Sequence, residues 1–377
     1  MSELQPIWVN EPKIPDKAVE YVSDAVRSSW ISGSGHYVQE FEKKFAEYTG
    51  IKYATVCSNG TTALQLALAA MEVRNGDEVV IPDQTIISCA LAPLYLGASP
   101  VVVDVERDTF CIDVSKIEEK ITPKTKVIMP VHLYGQCCDM DRILAIAKKH
   151  HLYVLEDAAE AIGAEYKGEK AGSIGDIGSF SLFANKLITS GEGGVLTTNS
   201  VELYEKMVNL KDLAHSKEKR FWHEEMGFNF RMTNYQCALA LASLEEVEIS
   251  LAHKQSMAEW YNSGLDGIKG LTIPITADYN NINSFWMYTV LVENDFGMSR
   301  DEFVSKLWKD YKVQVRTFFY PIHSQPVFKK RGLFKSEKCP VSENLSKKGL
   351  YLPSGLTLTK NQAERVIYAI KAMKGGS

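Results

Sequence analysis

The chain has 377 residues, a formal net charge of −5 and a pI near 6.0. That length fits one large domain with a smaller one, and the acidic balance excludes the basic face of a nucleic-acid binder. Hydrophobic residues at 45% and charged residues at 24% are ordinary for a soluble globular protein and argue against disorder.

No apolar run approaches the ~18 residues a membrane span requires, and the first residues lack a basic segment followed by an apolar one. A cytoplasmic protein without a membrane partner is expected. Two helices, around 17–29 and 41–48, flank the turn-forming WISGSG (30–35). From about residue 50 to 200, short β-rich runs alternate with helical patterns, as in a sheet covered by helices on both faces. Strands are expected at 53–57, 78–81, 100–103, 126–129, 153–155, 179–182 and 194–197. Apolar residues at helical spacing mark 61–71 and 140–150 as helices, and the intervening helices make the sheet mostly parallel. One long helix is expected over 236–261, bridging to a second domain with strands at 287–292 and 312–316 and a final helix over 360–372. The expected division is a large domain at 1–256 and a small α+β domain at 257–377.

Three segments carry chemistry. SNGTT (58–62) follows a strand and opens a helix, where free backbone N–H groups, a glycine and adjacent hydroxyls suit a phosphate; the plain alternative is an N-cap without ligand. The strand at 153 ends in Glu156 and Asp157, placing Asp157 at the carboxyl edge of the sheet, where α/β folds bind ligands. A carboxylate there can pair with a protonated ring nitrogen, or it can simply cap the next helix. In SFSLFANKLITSGEGG (179–194), a strand delivers Ser181, and Lys186 stands in an apolar stretch before a glycine-rich turn. Desolvation lowers a lysine pKa and supplies the neutral amine that condenses with a carbonyl.

Together these segments resemble the DegT/DnrJ/EryC1/StrS family of sugar aminotransferases. The resemblance runs from about Trp30 to Leu356, through WISGSG, SNGTTAL (58–64), GDEVVIP (76–82), PVHLYGQ (130–136), EDAAEAIGA (156–164), SFSLFANK (179–186), GEGG (191–194) and GFNFRMTN (227–234). It implies an α/β fold of PLP fold type I, like aspartate aminotransferase, with a mostly parallel mixed sheet in the large domain. It also implies pyridoxal 5′-phosphate (PLP) as cofactor. Lys186 would then bond to the cofactor and act as acid–base catalyst. Asp157 would hold the pyridine nitrogen, and Gly60, Thr61 and Ser181 the phosphate. Glu160 would stand near the phenolic oxygen, and Asn229 would reach the phosphate from the neighbouring subunit of a homodimer with shared active sites.

The resemblance implies a nucleotide sugar and L-glutamate as substrates. WISGSG, VHLYGQCCDMD (131–141), FWHEEMGFNFRMTN (221–234) and FWMYTV (285–290) are most similar to members that aminate a GDP-linked 4-keto-6-deoxy sugar, GDP-4-keto-6-deoxy-D-mannose. Trp30, His132, Arg231, Arg316, Tyr320 and His323 are the candidate substrate residues, with Arg231 also assigned to the interface. Arginine holds diphosphates bidentately and aromatic faces stack on a base or sugar; for each histidine the plain alternative is a hydrogen-bonded structural role. Rival readings are a same-family enzyme for a UDP- or dTDP-linked keto sugar, a dehydratase, which would carry histidine in place of Lys186, and a non-catalytic regulator.

Two stretches depart from the family. Ile86 stands where relatives commonly carry an aromatic residue, and Lys211-Asp212-Leu213-Ala214-His215-Ser216 lacks the glycines of close relatives. The seven cysteines, at 57, 89, 111, 137, 138, 237 and 339, fit neither a disulfide framework nor a zinc pattern. They are expected to be reduced thiols, and no catalytic metal is expected.

Overall fold

A computed structural model describes residues 4–216, 218–219 and 221–375. Its centre is a seven-stranded sheet made of β1 (Tyr53–Cys57), β2 (Glu78–Pro82), β3 (Ser99–Val103), β4 (Thr125–Ile128), β5 (Tyr153–Asp157), β6 (Ile177–Ser181) and β7 (Gly194–Thr198). The spatial order is β1-β7-β6-β5-β4-β2-β3. The pairs β3–β2, β2–β4, β4–β5 and β5–β6 are parallel, whereas β7 runs antiparallel to both β6 and β1.

These strands are apolar on both faces because helices cover both. Val80, Ile128 and Val154 face a cluster that includes Ala25 of α1 (Asp16–Arg27), Phe41 and Phe45 of α2 (His36–Thr49), Ile143 of α5 (Met140–His150) and Leu241 of α7 (Asn234–Glu245). Their chain neighbours Val79, Val127 and Leu155 face the opposite cluster, with Leu64 and Leu68 of α3 (Gly60–Ala70), Ala92 of α4 (Ser88–Tyr95) and Met207 of α6 (Val201–Lys211). The alternation is the period-two signature of a strand buried on both sides. Asn59 starts α3 with a capping box: its side chain accepts from the Thr62 N–H while Thr62 Oγ1 accepts from the Asn59 N–H. Gly50, with φ of 71°, ends α2 in the left-handed conformation that glycine adopts without penalty.

The long helix expected over 236–261 is two helices, α7 and α8 (Val247–Leu265). Glu246, at φ −102° and ψ 9°, leaves helical geometry between them. The periodic leucines continue across this break, so periodicity alone does not register it. Position 256 lies inside α8.

A second, antiparallel sheet is built from β8 (Leu271–Thr272), β9 (Thr289–Val292), β10 (Arg316–Thr317) and β11 (Gly349–Tyr351), in the order β8-β9-β11-β10. The strand expected at 312–316 joins this sheet only at its end. Val313 instead forms a parallel bridge with Ile7 of the N-terminal segment, and the Gln314 N–H donates to the Ile7 carbonyl. The sheet rests on a third core with Tyr261 of α8 and Val366 and Ile370 of the C-terminal helix Lys360–Gly375. Among the described residues, no helix is long and apolar enough to cross a membrane.

Candidate active site

Register puts the chemistry on one edge. Gly194 of β7 pairs with Cys57 of β1 on one side and with Ser181 of β6 on the other. The segment that leaves β1 as SNGTT and the residue that ends β6 are therefore neighbours, although more than a hundred positions separate them. A Cβ added to Gly60 would sit 3.0 Å from the Ser181 Cβ, so a side chain there would fill the space between helix start and strand end. In α3 the capping box engages the Thr62 amide, and the Ala63 N–H donates to the Asn59 carbonyl. The Gly60 and Thr61 N–H groups, at the positive end of the helix, are the first-turn donors left over. Thr61 Oγ1 bonds Ser88 Oγ at 2.8 Å, which ties the starts of α3 and α4 together.

These residues line a cavity of about 600 Å³, together with Asp157, Glu160, Lys186, Trp286, Arg316, Phe319 and Tyr351. Asp157 ends β5 and is buried; its Oδ1 accepts from the Ala159 N–H (3.1 Å) and its Oδ2 from the Cys89 thiol (3.1 Å). Burial raises the Asp157 pKa, opposed by Cys89, the Ala159 amide and the charge of Lys186. Lys186 Nζ stands 4.0 Å from Glu160 Oε1 and 3.7 Å from the centroid of the Trp286 ring. Burial pushes Glu160 up to about 7 and lowers the Lys186 pKa, so the two move toward the neutral acid and the neutral amine. The Glu160 carboxylate is fixed by the Tyr134 N–H, which donates to Oε2 at 3.0 Å. Tyr134 itself holds a left-handed backbone, φ 57° and ψ 12°, which makes this amide available.

The residues expected to bind cofactor, Gly60, Thr61, Asp157, Glu160, Ser181 and Lys186, thus converge within one chain. Asn229 does not line the cavity: it is exposed and bridges to Asp212 at the end of α6, the residue whose carboxylate also pairs with Arg231. Trp30 is largely exposed, and its carbonyl accepts from the buried side chain of Asn234. Tyr320 is also exposed, next to the cavity residue Phe319.

The histidines are both buried and paired. His132 Nδ1 accepts from the Cys138 N–H, so its proton sits on Nε2, 2.9 Å from Glu156 Oε2. Burial raises the Glu156 pKa, but His132 and the amides of Gly175 and Gly172 outweigh it and hold the carboxyl below its usual range. His323 Nδ1 lies 2.7 Å from Asp83 Oδ2, and its N–H donates to Asp83 Oδ1. Of the six candidate substrate residues, Arg316 alone lines the cavity in the single chain.

Trp286, Tyr351, Phe319 and Cys89 complete the site without having been singled out from the sequence. Ile86 lines the cavity as an aliphatic residue, and the aromatic surface near Lys186 comes from Trp286, 200 positions further along the chain. All seven cysteines are buried and unbridged. Asp83, His323 and Cys339 bring ligand-type atoms within 4.8 Å of one another, but their hydrogen bonds to each other account for the arrangement.

Residues 12–371 match the DegT/DnrJ/EryC1/StrS aminotransferase family. The chain belongs to that family. It is 42% identical over 370 residues to a GDP-perosamine synthase of Caulobacter vibrioides, covering 98% of this chain and 99% of that one. It is 39% identical to a GDP-perosamine synthase of Escherichia coli O157:H7, over 97% of each chain. A Streptococcus pneumoniae structure solved in its PLP form superposes with a TM-score of 0.92 at 27% identity, over 99% of each chain. The protein is a PLP-dependent sugar aminotransferase of the α/β type expected from the sequence. The cavity fits PLP on its own chemistry: free amides and hydroxyls for a phosphate, a buried carboxylate for a ring nitrogen, and one desolvated amine between them.

Proposed function

We propose that this enzyme transfers the amino group of L-glutamate to C4 of a GDP-linked 4-keto-6-deoxy sugar, GDP-4-keto-6-deoxy-D-mannose, giving GDP-perosamine. The single observation that carries the reading is the placement of Lys186 between Glu160 and Trp286 in the cavity that also holds Asp157 and the α3 amides. The similarity to two GDP-perosamine synthases over nearly the full chain supports the choice of acceptor.

PLP, when bound, supplies the carbonyl that carries the amino group and a ring that accepts electrons from the carbon being deprotonated. Gly60, Thr61 and Ser181 would hold its phosphate. Asp157 would keep its pyridine nitrogen protonated, and the burial of Asp157 would make that pairing stronger than in water. Glu160 would serve the phenolic oxygen. Lys186 Nζ would anchor the cofactor and, when freed, would take a proton from the α-carbon of glutamate and pass it to the cofactor. In the second half-reaction the same nitrogen would take that proton back from the cofactor and deliver it to C4 of the sugar, the carbon that gains the amino group. Arg316, at the cavity mouth, supplies a cation for the diphosphate, and Phe319 and Tyr351 supply apolar faces for the sugar.

The catalytic unit is a homodimer in which Asn229 and Arg231 act across the interface. Their exposure, and their absence from the cavity lining in the single chain, support this assignment. The enzyme works in the cytoplasm.

The test is incubation with ¹⁵N-labelled glutamate and separate GDP-, UDP- and dTDP-linked 4-keto-6-deoxy sugars, with detection of the labelled product by mass. A pocket that leaves one buried polar partner unpaired for the wrong ligand loses ~1–3 kcal/mol. The GDP-linked acceptor should therefore lead by roughly ten- to hundredfold in kcat/KM. A higher value for a UDP- or dTDP-linked acceptor would reject the GDP assignment.

A further inference from the structure

Trp286 stands just before β9 of the second sheet, yet its side chain belongs to the first. Its indole N–H donates to the carbonyl of Asn185 (2.9 Å), the residue that precedes Lys186. Its own carbonyl accepts from Lys254 Nζ (2.9 Å), a fully buried amine of α8 that also donates to the Ser354 carbonyl. The same Asn185 carbonyl accepts a second bond from Asn10 Nδ2 (3.2 Å). The ring is further stacked on Tyr134, with 8° between the planes, and leans on Tyr351. Held at its nitrogen, its carbonyl and its ring, Trp286 presents an aromatic face to Lys186 Nζ at 3.7 Å.

We propose that Trp286 is a further catalytic residue of the transfer reaction, an aromatic cap whose face stabilises positive charge on Lys186 Nζ while its indole N–H fixes the backbone that carries the lysine. The inference rests on the reading of Lys186 as the cofactor-bound residue. The physical need is specific. A lysine that shuttles protons must be neutral to take one and cationic afterwards, and burial here favours the neutral form by more than the charges of Glu160 and Asp157 favour the cation. An aromatic quadrupole offsets part of that cost for the cation without adding a carboxylate that would hold the proton permanently. Indole is the strongest of the aromatic faces for this purpose. The other groups around Nζ are Glu160 at 4.0 Å and Asp157 on β5, with Glu192, Arg316 and Tyr351 lining the same cavity and Tyr134 behind the indole. Trp286 combines contact with Nζ and a tether to the residue before it, which none of these groups does.

The experiment uses the PLP-loaded enzyme and the variants Trp286→Leu, Trp286→Phe and Lys254→Met. The absorbance of bound PLP is followed against pH, which reports protonation of the nitrogen joining Lys186 to the cofactor. In Trp286→Leu the midpoint should fall by about half to one pH unit, because the cation loses its aromatic face. Its kcat should fall roughly tenfold, with KM for the sugar changed less than threefold. Trp286→Phe keeps a face but not the N–H, and should lie between Leu and wild type in both readings. Lys254→Met frees the Trp286 carbonyl without touching the ring and should move the midpoint less than Leu does. A Leu variant with wild-type midpoint and kcat would overturn the proposal. So would Phe and Leu variants that fall together with a common loss of thermal stability, since that marks packing alone. If borohydride-fixed cofactor maps to a lysine other than Lys186, the underlying reading fails; if it maps to Lys186 and the midpoint does not move, only the role of Trp286 fails.

Discussion

The thiol of Cys89 donates to Oδ2 of Asp157 across 3.1 Å, and Thr85 Oγ1 lies 3.4 Å from the same sulfur. Burial holds the Cys89 pKa well above its usual value, so the sulfur keeps its proton and remains a donor. A thiol is a weak donor, which fixes the carboxylate rotamer while leaving most of its charge for the ring nitrogen that the proposed reading pairs with Asp157. Cys89→Ala should weaken PLP binding to the cofactor-free enzyme roughly three- to tenfold, and Cys89→Ser, which keeps a donor, should restore most of it. Fluorescence titration with PLP measures both, and equal affinities for Ala and wild type would show that the contact does not position Asp157.

Glu160 makes stability depend on pH. Its folded pKa is raised to about 7, so between ~4.5 and ~7 the folded chain keeps a proton that the unfolded chain has lost. Stability then falls as pH rises through that window. In cofactor-free protein, urea unfolding at pH 5 and pH 7.5 should show wild type losing roughly 1–2 kcal/mol more than Glu160→Gln. Parallel pH profiles for the two would contradict the shift.

Lys254 acts with the opposite sign. Burial lowers its pKa to about 7, while an unfolded lysine holds its proton to ~10.4. Between those values the unfolded chain binds more protons, and this residue's contribution to stability rises with pH. From pH 7 to pH 9 wild type should gain roughly 1–2 kcal/mol relative to Lys254→Met. The check is the difference between the two unfolding curves at each pH.

His132→Ala should destabilise the chain by about 3 kcal/mol, because it strands the buried carboxylate of Glu156. The amides of Gly172, Ile174 and Gly175 still bind that carboxylate, so the protein should remain folded and the loss should appear in urea unfolding. A loss of substrate affinity without loss of stability would instead favour the substrate role first assigned to His132.

Mixing an inactive Lys186→Ala chain with an inactive Asn229→Ala chain should restore part of the activity through hybrid dimers. Verified subunit exchange without any recovery would show that each active site is complete within one subunit.

What the sequence made legible follows the geometry of strands. Lys186, Asp157 and Ser181 were readable because each stands at or just beyond the end of an apolar run, where backbone topology alone fixes the position. The same holds for Gly60 at a helix start. Trp286 and Cys89 were not readable, because their partners Asn185 and Asp157 lie 101 and 68 positions away and no local pattern encodes the pairing. The apolar stretch around Trp286 reads equally well as core of a strand. His132 and His323 were read as candidate substrate residues with a hydrogen-bonded structural role as the alternative, and the buried carboxylates that pair with them, Glu156 and Asp83, lie 24 and 240 positions away. The break at Glu246 escaped because helical periodicity survives a single non-helical residue.

The central claim is that Lys186 is the residue that bonds to PLP. Reduction of the loaded enzyme with borohydride, followed by peptide mapping by mass spectrometry, tests it directly. The account predicts a single pyridoxyl group on Lys186, and a label on Lys254 or on any other lysine in place of Lys186 would contradict it.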